Sequence, residues 1–325
     1  MSASLDCPSV SVSAQQAKQT ASMHNISLLI VLAAALLGDA RKVNKLVRYP
    51  QATADCPVQA GVITGQMDDK VMEEASGLAY SRNQDGIIWT QNDHGDDPRV
   101  IAISEEGQRV AIVTLEGVLN EDWEDIATTV LDGESMLLVA DTGNNAFDRD
   151  PLSIFRFKEP IVEDNEDMSI TRDEIEDLQV RYPDFSYDCE ALTVDQTSGD
   201  IFMFTKDREN SISEVYRYPF PQSEANNPFT LEHVATLPLF WITGGDISPD
   251  GNTLALTNKQ EAFSFTKPEG ISWPEFLVNN PEPCNLQVEE EVQREAIAVT
   301  EEGYWTTSEC KKNPPCPLWF YAHSA

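Results

Sequence analysis

Five times along this chain a carboxylate or polar residue stands just ahead of a short apolar strand start. The copies are Glu74-Ala75-Ser76-Gly77-Leu78-Ala79, Asp122-Trp123-Glu124-Asp125-Ile126-Ala127, Asp188-Cys189-Glu190-Ala191-Leu192-Thr193, Gly244-Gly245-Asp246-Ile247-Ser248 and Arg294-Glu295-Ala296-Ile297-Ala298. Aligned on Leu78, Ile126, Leu192, Ile247 and Ile297, they lie 48, 66, 55 and 50 residues apart, near the blade length of a β-propeller. A propeller's innermost strands line one central channel. A feature repeated at their starts becomes a ring in space, and this ring is rich in acid.

Between the copies the chain breaks into short apolar or alternating runs separated by turn residues, the pattern of an all-β array. It predicts a single propeller of five four-stranded blades, or six if the long 127–187 interval holds another. The fifth unit shows only three strands of its own, and the run Val58–Gln66 supplies a fourth. Pairing the two chain ends would close the ring and remove an edge open to aggregation. The acidic segment Glu159–Asp177 reads as a solvated excursion between strands, with room for a short helix from Thr171 to Leu178.

The chain carries 55 acidic against 22 basic side chains, a formal charge of −33 over 325 residues. Such a surface repels nucleic acid and anionic membranes and attracts cations. The same acidity also fits adaptation to salt. Residues 26–38 form an apolar run too short to span a bilayer comfortably, followed by Gly38-Asp39-Ala40, a small-x-small cleavage pattern. The division expected is a non-native or disordered extension over 1–22, a signal peptide over 23–40, a linker over 41–56 and the propeller over 57–325. The mature protein is then secreted or periplasmic, without a stable membrane span, and monomeric.

Cleavage removes Cys7 and leaves Cys56, Cys189, Cys284, Cys310 and Cys316 in an oxidising compartment that permits disulfides. Cys310 and Cys316 flank a compact loop that a bridge would close, and Cys56 with Cys284 is a second candidate pair; the sequence does not fix the connectivity. Cys189, inside a repeat strand with no His near it, reads as a buried thiol.

In an antiparallel blade the start of strand one and the end of strand two lie at the same end. The second strands finish in Asn92-Asp93-His94, Asp141-Thr142-Gly143-Asn144-Asn145, Lys206-Asp207-Arg208, Asn258-Lys259-Gln260 and Ser308-Glu309. Together with Glu74, Glu124, Asp188, Glu190, Asp246, Arg294 and Glu295 from the strand-one starts, they predict one polar face around the channel mouth. Crowded carboxylates must protonate, pair with cations or hold metal, and an all-oxygen donor set suits Ca²⁺. Asp93, Glu124, Asp141, Glu190 and Glu295 are the metal-ligand candidates. Asn92, His94, Asn144, Lys206, Asp246, Asn258, Lys259, Arg294 and Glu309 are the candidates for touching a small-molecule or protein ligand. The bland alternative is that Lys206, Lys259 and Arg294 neutralise the acids while Asp and Asn cap turns. No G-x-S-x-G elbow, Ser-His-Asp order, zinc motif, P-loop or Rossmann fingerprint is present. Trp123 and Trp241 stand beside the motifs, where they either pack between blades or stack on a ligand.

The succession Glu-x-Ser-Gly-Leu-Ala (74–79), Trp-x-x-Asn-Asp-x-Gly-Asp (89–96), Asp-Trp-Glu-Asp-Ile-Ala (122–127), Asp-x-Gly-Asn-Asn (141–145), Asp-x-Glu-Ala-Leu (188–192), Gly-Gly-Asp-Ile-Ser-Pro-Asp-Gly (244–251) and Glu-Ala-Ile-Ala (295–298) resembles secreted bacterial β-propeller proteins. These are akin to the phytase-like, SdiA-regulated and SMP-30-like propellers. The resemblance covers roughly residues 70–310 and implies the fold more than an activity, since propellers host many. The wider group includes calcium-dependent phosphoester hydrolases and metal-dependent lactonases. Carried over by position, Glu124, Glu190 and Glu295 become channel-mouth acids, Asp93 and Asp141 metal ligands, and Lys206 the contact for an anionic group. Unlike proven phytases, this chain has no dense basic patch, so a phosphorylated ligand would need calcium as a bridge. Two functions remain: a calcium-stabilised binding or scaffold protein, or a calcium-dependent hydrolase of phosphoester, ester or lactone substrates.

Overall fold

Each of the five motifs opens the innermost strand of its own sheet. The computed structural model describes residues 54–67, 70–163, 166–208, 210–291, 293–310 and 315–324. The extension 1–22, the signal-peptide segment 23–40 and residues 41–53 of the linker lie outside the described residues.

The first blade runs outward through β2 (Ala75–Tyr80), β3 (Ile87–Asn92), β4 (Arg99–Ser104) and β5 (Arg109–Leu115), and the second through β6 (Trp123–Leu131), β7 (Glu134–Asp141), β8 (Leu152–Lys158) and β10 (Glu176–Arg181). The third is β11 (Cys189–Val194), β12 (Ile201–Thr205), β13 (Ser213–Tyr218) and β15 (Glu232–Leu237); the fourth is β16 (Gly244–Ile247), β17 (Thr253–Thr257), β18 (Ala262–Thr266) and β19 (Cys284–Leu286). The fifth takes β20 (Arg294–Val299), β21 (Gly303–Ser308) and β22 (Cys316–Ala322), with β1 (Val62–Met67) antiparallel on its outer edge. The architecture is therefore all-β and five-bladed.

The inner strands touch in ring order, β2, β6, β11, β16, β20 and back to β2. Period-two alternation turns successive side chains of each inner strand to opposite blade faces. Ile126 thus joins the core between the first and second blades, while its neighbour Ala127 joins the core between the second and third. Apolar clusters fill all five gaps between neighbouring blades. Fully buried aromatics anchor them, among them Trp89 and Trp123 in the first gap and Phe202 and Phe204 in the third. Burying one such ring is worth about 1.5–3 kcal/mol, so the ring of gaps carries the fold.

The acidic segment 159–177 is largely the solvated excursion between strands that composition suggests, with Glu163, Glu166, Asp167, Asp173 and Glu174 exposed, but it is anchored to the first blade at a few points. Glu159 is buried, accepts from Trp89 Nε1 at 2.7 Å and also bonds Ser135 Oγ. Met168 and Ile170 belong to β9 (Met168–Ile170), which pairs parallel with β5 and covers the outer edge of the first blade. The helix expected after Thr171 shrinks to a single 3-10 turn, Arg172–Glu174, because β10 already begins at Glu176. A small strand, β14 (Phe229–Thr230), extends the second blade in the same way.

Cys56–Cys284 and Cys310–Cys316 are disulfide-bonded, and Cys189 is a buried free thiol pushed up to about 12 by desolvation. Two disulfides fit an extracellular or periplasmic protein. Among the described residues no helix is long and apolar enough to cross a membrane.

Candidate functional site at the channel mouth

Four of the five inner strands carry a register shift at the same motif position. The extra residues, opposite no partner, are Ser76 in β2, Glu124 in β6, Glu190 in β11 and Glu295 in β20. A β-bulge re-aims a side chain that would otherwise lie on a blade face. Here it is how a propeller with apolar gaps presents carboxylates at its axis. The fourth blade pairs without a shift and has Gly245 at that position. Its neighbour Gly244 packs so closely on the next blade that a Cβ would collide with the Glu295 carbonyl.

The next residue inward has a different job. Asp125 is fully buried and accepts from Ile126 N and Leu192 N at 2.9 Å and from Gly245 N at 3.3 Å, joining the second, third and fourth blades. Asp246 accepts from Ile247 N and from Val299 N of the fifth blade, both at 2.8 Å. Desolvation holds Asp125 well above the usual carboxylate range and pushes Asp246 up to about 6. Asp246, a candidate ligand contact by sequence, therefore spends both oxygens on the backbone of two blades.

The acids gather on the first three blades. Carboxylate oxygens of Asp93, Asp122 and Glu124 lie within 4.8 Å of one another, and so do those of Glu124, Asp188 and Glu190. Glu124 belongs to both groups. It is 4% exposed, and among the described residues no donor or cation reaches its carboxylate. Desolvation, then Glu190, Asp93, Asp122 and Asp188, hold it well above its ordinary pKa. Burial also raises Asp93 and Asp122. Glu190 is pushed up to about 8 by burial despite its ion pair with Lys206. Arg208 stands 3.5 Å from Asp188 Oδ2 and 3.8 Å from Glu190 Oε1. Asp188 Oδ1 accepts from Asn144 N at 2.8 Å, whereas its buried Oδ2 makes no hydrogen bond.

The remaining sequence candidates surround this cluster. Asp141 lies beside it, held by Arg149 at 2.7 Å and by Asp122 N at 3.0 Å. Glu295 is across the mouth, paired with Lys259 at 2.7 Å. His94 is exposed, with Nδ1 2.5 Å from the Glu121 carbonyl and 3.3 Å from Asp122. Three amides brace loops: Asn92 donates to Val71 O and Asp96, Asn144 to Arg149 O and Ser186, and Asn258 to Phe240 O. Arg294 is buried against Glu291 at 2.7 Å, and Glu309 accepts from Gln293 at 2.5 Å. Trp123 is fully buried, while Trp241 is 41% exposed.

Asp122 and Arg149 are absent from the face expected from sequence, while Asp188 and Arg208 fall on that face without being named as ligand candidates. A signal for two of them existed. Asp122 and Asp188 occupy the same motif position, four residues before Ile126 and Leu192. Arg208 closes a second-strand end already on the expected face, whereas Arg149 arrives from a loop with no repeat to mark it.

No family model matches the chain, and no curated protein does. Among solved structures it is similar to the PQQ-bound form of aldose sugar dehydrogenase from Streptomyces coelicolor, at 9% identity over 81% of this chain and 98% of that one, with a TM-score of 0.44.

Proposed function

We propose that this is an exported, monomeric, calcium-stabilised binding propeller that holds a small-molecule or protein ligand at its channel mouth. The observation that carries the reading is Glu124: a buried carboxylate without a donor, shared by two groups of acids. An isolated buried charge is very costly, and four neighbouring carboxylates raise that cost unless a cation enters. The donors are all oxygen, which favours Ca²⁺ over the softer metals. Asp93, Asp122, Glu124, Asp188 and Glu190 are its ligands in this reading, with Lys206 and Arg208 at the edge to meet an anionic part of the ligand.

The test is a thermal melt in calcium and then in chelator. Saturating calcium at about a hundred times Kd stabilises by about 2.7 kcal/mol, a rise of several degrees that chelator reverses and Glu124→Gln or Glu190→Gln removes. Identical melts with and without calcium would sink the calcium reading.

The second reading is calcium-dependent hydrolysis of a phosphoester, ester or lactone. It is favoured by the resemblance to such propellers and by Lys206 and Arg208 beside the acids. It requires turnover of a substrate panel by the wild type, lost with chelator and with Glu190→Gln. Absence of turnover across the panel with calcium bound leaves the binding reading alone.

A further inference from the structure

A second recess opens between the fourth and fifth blades, apart from the acid cluster. Phe240, Trp241, Lys259, Glu289, Glu290 and Arg294 are among the residues lining a cavity of about 610 Å³, ample for a small organic molecule. One wall is the loop that enters β16. Trp241 sits on it with φ 53°, a left-handed conformation costly for a bulky side chain and persisting only where its surroundings enforce it. Asn258 Nδ2 holds the Phe240 carbonyl at 3.1 Å, and Thr243 N bonds Thr257 O at 2.9 Å, so the loop is fixed on both sides of the ring. The opposite wall is also built. Arg294 Nη2 holds the Glu289 carbonyl at 2.5 Å, Tyr321 Oη meets Glu289 N at 3.0 Å, and Glu291 is locked by Arg294, Thr306 and Ser308.

The charges decide what such a recess would hold. Lys259 is neutralised by Glu295 and Arg294 by Glu291. Glu289 and Glu290 are exposed, and among the described residues neither has a cationic partner. An occupant therefore meets a half-exposed indole and two uncompensated carboxylates. Tryptophan is the best cation–π partner among the side chains, and carboxylates nearby add to the attraction.

We propose that this recess is a subsite for an organic ammonium group, seated on Trp241 and flanked by Glu289 and Glu290. The assignment is independent of the calcium site. It is tested in chelator, so failure here and failure there are separate results.

The probes are choline and its uncharged tert-butyl isostere, titrated calorimetrically into the full protein in chelator at low and high salt. Choline is expected to bind at least about tenfold more tightly than the isostere. Trp241→Ala should weaken choline about tenfold, with Trp241→Phe in between. The surface double variant Glu289→Gln/Glu290→Gln should weaken it and abolish the salt dependence. Equal binding of choline and the isostere, no binding of choline, or undiminished binding by the double variant would each overturn the assignment.

Discussion

At the scale of residues, the mouth separates two roles that the motif writes side by side. Glu124 and Asp125 are consecutive, yet the first faces the acid cluster without a donor and the second is saturated with backbone N–H groups. Sequence placed both acids at a strand start, but which one reaches the axis depends on the bulge, and that is a matter of register. Gly143 shows the crowding most directly. A Cβ there would collide with Glu124 Oε1 and with the Asp122 carboxyl. Gly143→Ala is therefore expected to displace both carboxylates and, on the proposed calcium site, to lower calcium affinity by tenfold or more, about 1.4 kcal/mol, with the fold retained by circular dichroism. Unchanged calcium affinity in that variant would remove Glu124 and Asp122 from the metal site.

At the scale of elements, most strands were legible. Alternation and turn residues marked the inner strands; on the outer edge of the fifth blade Val62–Met67 pairs with Cys316–Ala322, where the sequence offered Val58–Gln66. In the 159–177 segment the acidity pointed correctly to solvent for most of its length, but its anchors were not legible: Glu159 under Trp89 and two apolar side chains on a short parallel strand. Too few residues were involved to shift a composition-based reading. Blade-to-blade cohesion was also hidden, because an aspartate gives no hint that its acceptors are filled by a strand dozens of residues away. Asp246 makes this testable. Its folded carboxyl, pushed up to about 6 by burial, keeps its proton to higher pH than the unfolded chain at 3.8. Its contribution to stability is thus full below 3.8 and is lost as pH rises to about 6. Asp246→Asn should abolish that slope in urea titrations across this window. In the variant the amide oxygen serves only one of the two N–H donors, so either Ile247 or Val299 loses its acceptor, a cost of about 1–3 kcal/mol. An unaltered slope would assign the pH dependence elsewhere.

At the scale of the whole molecule, the five gaps hold the ring together and the disulfides tie its last segments. Cys56–Cys284 closes 228 residues and Cys310–Cys316 only 6. On chain entropy alone the long bridge is worth about 5 kcal/mol and the short one about half that. Replacing Cys56 and Cys284 by Ser should therefore lower the denaturation midpoint more than replacing Cys310 and Cys316, and the reverse order would show that local strain or residual structure governs instead. At the mouth, repeated motifs and bulges bring acids from three blades into two groups that share Glu124, the proposed calcium site. Calorimetric titration of calcium into wild type, Glu124→Gln and Glu295→Gln tests it most directly. Expected are binding on the order of 0.1 mM or tighter for the wild type, loss in Glu124→Gln, and retention in Glu295→Gln, whose carboxylate lies outside both acid groups. No calcium heat in the wild type, or equal loss in both variants, would contradict it.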